Sequence, residues 1–389
     1  MKLVPEVEAL VPEIKAWRHH IHAHPETAFE ETATSAFVAD KLRSFGLEVH
    51  TGLAKTGVVG VLRCGSGSDA IGLRADLDAL HIHEKSGVTH ASKIAGKMHA
   101  CGHDGHTAML LGAAAALARK KDFDGIVYFI FQPAEENEGG GRMMVEQGLF
   151  ERFPMRAVYG MHNWPMAPLG TFAIRAGPFM GAFDIFEIVA TGKGAHAAMP
   201  NTGKDPMLFV AHAISALQTI VARNLHPLDA GVVSITQVHG GDTWNVIPQE
   251  VVLRGTVRSF DSAVQDLIEQ RMRAIVAGAA AMFEMTATVR YERRYPATVN
   301  AAAQTKHAIA AATAVVGAAN VDTDPTPNMA SEDFAFMLQA KPGCYVWLGA
   351  GRGPETPNVH NPHYDFNDDA LPIGASYWVT LARQQLPSR

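Results

Sequence analysis

Between His99 and His106 the chain reads HACGHDGH, a thiol and three imidazoles set around two glycines just ahead of an apolar helix. A divalent transition ion takes neutral imidazole nitrogen, thiolate sulfur or carboxylate oxygen. Cys101 and His103 offer two of these one residue apart, where an extended backbone would point both side chains the same way. Further ligand types recur downstream: carboxylates at Glu135 and Glu136 in QPAEE, and imidazoles at His162 in GMHNW and His360 in VHNPHYDF. Asp104 is placed to cap the following helix, GHTAMLLGAAAALARKK, whose positive N-terminal dipole end would favour a Cys101 thiolate.

Those residues need elements that carry them to one place. From about residue 6 to 183, amphipathic helices alternate with short apolar runs, the pattern of a mostly parallel sheet with helices on both faces. AIGLRADLDAL reaches Asp76 and Asp78, GIVYFIFQPAEE reaches Glu135 and Glu136, and RAVYGMHNW ends in His162. Ligands of open α/β sheets bind beyond the carboxyl ends of the strands, where all three runs deliver polar residues. From Ala182 to Arg294 the order becomes strand, helix, strand, strand, helix, strand, a ferredoxin-like βαββαβ unit in which Asp205 caps a helix beginning at Pro206. The expected organisation is therefore a first domain in two parts, 1–181 and 295–389, with a second domain inserted at 182–294.

Composition narrows the function classes. At 389 residues, with 47% apolar and 19% charged residues, the chain can build sizeable cores and more than one domain. A formal charge of −6 gives no basic surface for nucleic acid. Three irregularly spaced cysteines argue against a disulfide framework and for a reducing compartment. The N-terminal stretch, broken by Pro5 and Pro12, lacks the apolar run of a signal peptide. Met109–Ala118 is about half of the ~20 residues that span a bilayer, so a cytoplasmic protein without a membrane partner is expected.

Ten segments in order, RHHIHAHPETAFEE, LRADLDAL, HACGHDGHTAML, QPAEE, GMHNWP, GKGAHAAMP, NVIP, GTVRSF, MASEDFAF and VHNPHYDFND, make the chain resemble the M20 metallopeptidase superfamily. The likeness is to its amidohydrolase branch of hippurate hydrolases, N-acyl-amino-acid deacylases and auxin-conjugate hydrolases. The resemblance makes the first domain a catalytic domain and the inserted one a lid domain, and it implies a binuclear centre of two divalent ions, Zn, Mn, Co or Ni. Cys101 would bridge them, with His103 and His162 completing one site and Glu136 and His360 the other. It also implies Glu135 as catalytic base. Many members carry a His-x-Asp pair after the early strand, whereas this chain has Arg74-Ala75-Asp76, so Asp76 is expected to orient a ligand imidazole.

The implied reaction is hydrolysis of an N-acyl-amino acid or short peptide. Metal ions acidify water and polarise the carbonyl, and a glutamate carries the proton. His196 in GAHAAMP is a candidate oxyanion donor and Asn245 in NVIP a holder of the substrate carbonyl. Arg258 in GTVRSF is a candidate for the substrate α-carboxylate. A lid histidine that acts across an interface implies a homodimer or higher oligomer through the lid domain. His22 and His24 read as helix-end packing and capping residues. The competing readings are a dipeptidase or carboxypeptidase on the same scaffold and a metal-stabilised binding protein without catalysis.

Overall fold

The computed structural model describes residues 1–136 and 138–388, which form two compact units. The first comprises Met1–Phe179, Val299–Thr326 and Asp333–Arg389; the second comprises Met180–Thr298 and Pro327–Glu332.

An eight-stranded sheet organises the first unit, and its four central strands, Gly125–Gln132, Ala70–Asp76, Ala157–Pro168 and Gly343–Gly351, are parallel neighbours in that order. Glu48–Leu53 and Gly57–Cys64 extend one side antiparallel. The short strands Phe172–Ala173 and Val321–Asp322 finish the other. Central strands have both faces covered and therefore read as unbroken apolar runs. Every residue of GIVYFIFQ and of AIGLRAD is buried. The helix His103–Arg119 lies at the heart of this unit, buried from His103 to Leu117, which is why its sequence is almost wholly Ala, Leu, Met and Gly after its first turn. The helices Val11–Ala23 and Leu371–Gln385 pack against it.

The second unit is the expected βαββαβ arrangement: strand Ala182–Thr191, helix Pro206–Thr219, strands Gly231–His239 and Glu250–Ser259, helix Ser262–Met282 and strand Thr286–Tyr295. Its antiparallel sheet runs Gly231–His239, Glu250–Ser259, Ala182–Thr191, Thr286–Tyr295. Only one face of this sheet is covered by helices, so burial alternates residue by residue along Ala182–Thr191. Asp205 caps its helix by accepting the Met207 N–H at 2.9 Å. That helix and the π-turn Ile220–Asn224 give a 19-residue segment of mean hydropathy 1.3, the one segment among the described residues apolar and long enough to cross a bilayer. Phe209, Val210, Ala213 and Leu217 are instead buried in the core beneath the second unit's sheet.

Candidate metal centre

The parallel register aligns Asp76 with Gln132, so the chain leaves both strands at the same edge of the sheet. Beyond Gln132 it turns through Pro133 and Ala134, the latter at φ 54° in the left-handed region, which sets Glu135 and Glu136 at the strand end. The Glu31 carboxylate holds this turn by accepting the Ala134 N–H at 2.9 Å. His162 does not end its strand as the sequence pattern indicated. Ala157–Pro168 continues past it, and His162 pairs in register with Trp347.

The link between Cys101 and His103 also differs from the extended backbone expected. Gly102 sits at φ 94° and a Cβ there would lie 2.1 Å from Asn163 Oδ1, so only glycine allows the sharp turn into the helix that starts at His103. Gly102, not Asp104, is the N-cap residue. Asp104 is drawn inward, where its Oδ2 accepts from Arg18 (3.1 Å) and meets His22 Nδ1 (2.9 Å). His22, read from sequence as a helix-end residue, is fully buried in this ion-paired group, whereas His24 does face the end of its helix through the His20 carbonyl (2.7 Å).

Five side chains from distant parts of the first unit meet here. Ligand atoms of Cys101, His103 and His162 lie within 4.8 Å of one another, as do those of Cys101, Glu136 and His360, so Cys101 belongs to both groups. His103, Glu135 and Glu136 form a third such group. Cys101 Sγ is 3.3 Å from His162 Nε2, and His360 Nε2 is 3.2 Å from Glu136 Oε1. His360, at φ 65°, is fastened by its N–H to the Ala100 carbonyl at 2.7 Å.

The tautomers suit a cation. His103 Nδ1 faces the Asp78 carbonyl (2.9 Å) and Oδ1 (3.1 Å), so it carries the proton and leaves Nε2 a lone pair. His162 Nδ1 likewise faces the Asn163 carbonyl at 2.7 Å. His103 Nε2 is buried without a hydrogen-bond partner among the described residues, which a bound cation would relieve. His106 is not available in this way, since Asp76 Oδ1 and Asn163 Oδ1 each stand 2.6 Å from one of its ring nitrogens. Asp76 Oδ1 braces His106 at 2.6 Å, while its Oδ2 lies 3.9 Å from His103 Nε2 and Asp78 Oδ1 faces His103 Nδ1 at 3.1 Å.

Electrostatics point the same way. Burial resists a charge on His103, but the Asp76 carboxylate and Cys101 outweigh it and hold its pKa well above the usual histidine value. Contacts with Cys101 and Glu136 raise His360 to about 10 against burial. His162 moves the other way, pushed well down by burial and by His106. Burial, and then Glu136, raise the Cys101 thiol, opposite in direction to the lowering expected from the helix end.

Arg74 is a fully buried structural cation. Its guanidinium donates to Gln132 Oε1 (2.8 Å), Asp76 Oδ2 (2.7 Å) and Asp333 Oδ1 (3.1 Å). The Asp333 N–H in turn reaches Glu135 Oε1 at 3.4 Å. Sequence reasoning had singled out neither Asp333 nor Asn163. The MASEDFAF segment was the available signal for the first and the GMHNWP segment for the second.

On the second unit, His196 and Val246 pair in a two-residue ladder, and the Ala197 N–H donates to the Asn245 carbonyl at 2.9 Å, so His196 and Asn245 are brought side by side. Arg258, half-buried on strand Glu250–Ser259, stacks over the Phe183 ring at 4.2 Å and donates to Thr256 Oγ1 and the Val257 carbonyl (3.0 Å). It forms no ion pair among the described residues, and it lines an open cavity of about 420 Å³ on that sheet.

The sequence profile of peptidase family M20/M25/M40 matches residues 72–384. Over 99% of its length the chain is 39% identical to the whole of a hippurate hydrolase from Campylobacter jejuni. It is 40% identical to an N-acetyl-L-cysteine deacetylase from Bacillus subtilis, with 95% of this chain and 87% of that protein aligned. A crystal structure of a Bacillus subtilis dinuclear metal binding peptidase from the M20 family superposes with a TM-score of 0.85 at 33% identity, covering 97% of this chain and 99% of that one.

Proposed function

Since the chain belongs to peptidase family M20/M25/M40, in its amidohydrolase branch, we propose that it is a binuclear metal-dependent amidohydrolase that cleaves N-acyl-amino acids to a carboxylic acid and a free amino acid. The observation that carries this reading is the convergence of Cys101, His103, His162, Glu136 and His360 with Glu135 beside them. These residues would hold two divalent cations, since Cys101, His103 and His162 form one group of ligand atoms and Cys101, Glu136 and His360 another. Thiolate, imidazole and carboxylate together accept Zn²⁺, and also Mn²⁺, Co²⁺ or Ni²⁺. Bound there, the ions supply Lewis acidity that lowers the pKa of water and polarises the amide carbonyl.

The protein's own work is proton handling and orientation. Water oxygen bonds to the acyl carbon, the C–N bond breaks, and Glu135 moves the water's proton to the departing nitrogen. Asp78 and the Asn163 carbonyl keep both imidazoles in the tautomer a cation needs. Arg74 and Asp333 steady the loop that carries Glu135.

In the same reading the first unit is the catalytic domain and the second a lid domain. His196 donates to the oxyanion, Asn245 holds the substrate carbonyl and Arg258 takes the α-carboxylate. Support for Arg258 is local: a guanidinium stacked on an aromatic ring, with no carboxylate paired to it among the described residues, is primed for an anion. The lid's uncharged edge strand supports a homodimer.

Metal analysis of Glu135→Gln beside the native enzyme, with hippurate, N-acetyl-amino acids and dipeptides as substrates, tests the reading. The variant is expected to keep its metal and lose roughly 10²- to 10⁴-fold in turnover. Near-native turnover at full metal content would remove Glu135 as base, and a preference for dipeptides would make the enzyme a peptidase.

A further inference from the structure

The three imidazoles of the centre are not held alike. His103 and His162 are buried, and each has an oxygen on its Nδ1, from Asp78 and from the Asn163 carbonyl. His360 is half-exposed, and among the described residues no oxygen holds its Nδ1. A metal-binding imidazole ordinarily takes its direction from such an oxygen. The direction of His360 rests instead on its backbone.

That backbone is pinned on both sides of the histidine. Its own N–H donates to the Ala100 carbonyl at 2.7 Å. The chain then closes on itself, with Asn361 accepting the His363 N–H on Oδ1 and the Tyr364 N–H on its carbonyl, each at 2.9 Å, while the Pro362 carbonyl accepts the Lys85 N–H at 2.7 Å. Tyr364 ends this turn. Only 1% exposed, it accepts a hydrogen bond on Oη from Asn163 Nδ2 at 2.8 Å. Asn163 is itself braced, since its Oδ1 stands 2.6 Å from His106 Nε2 and Asp76 Oδ1 stands 2.6 Å from the other ring nitrogen. The Tyr364–Asn163 bond thus joins the loop that carries His360 to the strand that carries His162. It also lies against Gly102, where a Cβ would come 2.1 Å from Asn163 Oδ1 and 2.8 Å from Tyr364 Oη, so it backs the turn between Cys101 and His103. A phenyl ring would fill the same space without the desolvation cost of a buried hydroxyl, so the oxygen is the informative part of this side chain.

We propose that Tyr364 is a positioning residue for His360: through Asn163 it holds the loop that presents this imidazole, and its loss weakens the Glu136–His360 ion site while sparing the site of His103 and His162. The inference rests on the binuclear reading of the centre.

Tyr364→Phe removes the oxygen alone. In the full-length protein before metal is added, amide hydrogen exchange at His360 is expected to quicken roughly tenfold, the scale of one buried hydrogen bond, with the central strands of the sheet unchanged. Unchanged exchange at His360, or equal acceleration throughout the unit, would overturn the proposal.

Titration with Co²⁺, followed by thiolate charge-transfer absorption and by chelator competition, reads the consequence for the ions, with His360→Ala as the one-ion reference. In Tyr364→Phe the first ion should bind as in the native protein and the second about 10- to 100-fold more weakly, the usual effect of losing an outer-shell partner. Equal weakening of both ions, or of neither, would remove Tyr364 as a positioning residue. Asn163→Ala should weaken the second ion in the same way, and adding Tyr364→Phe to it should cost under about twofold more, whereas additive losses would exclude the path through Asn163. Native protein that takes up fewer than two ions would defeat the binuclear reading, and the exchange at His360 would still decide whether Tyr364 holds the loop.

Discussion

Asp78 shows how one side chain fixes two others. Its carbonyl and Oδ1 hold His103 Nδ1, and its Oδ2 accepts the Glu136 N–H at 2.9 Å, so a single buried carboxylate sets the tautomer of His103 and the backbone position of Glu136. In Asp78→Asn, an amide N–H must oppose one of these donors. Divalent-metal affinity is expected to fall about 10- to 100-fold, the usual effect of losing an outer-shell partner, as measured by competition with a chromophoric chelator. An affinity equal to the native value would show that Asp78 does not orient the centre. At this scale the candidate group was readable because the chain has only three thiols and the family motifs pick out, from its nineteen histidines, those set around Cys101. The pairing of Asp76 with His106 and of Asp78 with His103 was not readable. Two carboxylates two residues apart at a strand end select their rings by where the chain turns, which no spacing rule supplies.

At the scale of elements, the helix Val11–Ala23 anchors the N-terminus of His103–Arg119. Arg18 donates to Asp104 (3.1 Å) and Asp365 (2.9 Å), and His22 bridges Asp104 (2.9 Å) and Glu84 (3.2 Å). Burial opposes a charge on His22 and Arg18 repels it, but Asp104 and Glu84 prevail and raise its pKa to about 9; the His90 and His99 rings are its remaining ionisable neighbours. A histidine pKa raised above its unfolded value of 6.5 stabilises the fold fully below that value and loses the contribution as pH climbs through about 9. The shift corresponds to something on the order of 3 kcal/mol. Urea unfolding of native protein and His22→Gln at equal metal loading should therefore show a gap of that size at pH 6 that closes by pH 10. A gap of the same size at both would refute the charged pair. The helices and strands themselves were legible from periodicity and caps, Asp205 included. Asp104 was misjudged as a cap because its local sequence suits one, while partners more than 80 residues away claim its carboxylate.

The two sheets of the whole molecule follow different rules. A sheet buried on both faces gives apolar runs, and one covered on a single face gives alternation, so both units were legible in outline. Pro327–Glu332, which carries neither pattern, groups with the second unit through contacts that no local signal reveals. The four-stranded sheet leaves two strand edges, and they differ in a way that bears on assembly. Thr286–Tyr295 carries Arg290, Glu292, Arg293 and Arg294, the charges that keep an edge from pairing. Gly231–His239, GVVSITQVH, has no Asp, Glu, Lys or Arg, exposes Val232 and Val238, and shares its unit with an exposed Leu208 and a fully exposed Trp244. An uncharged edge beside apolar side chains calls for cover, and a second copy in two-fold antiparallel register supplies an identical edge. The native enzyme is thus expected to sediment as a dimer at micromolar concentration. Val232→Lys with Val238→Lys, which gives this edge the charges of the other, should release monomers that keep their circular dichroism and metal content. A native protein that is monomeric at these concentrations, or a double variant that remains dimeric, would exclude this strand as the interface.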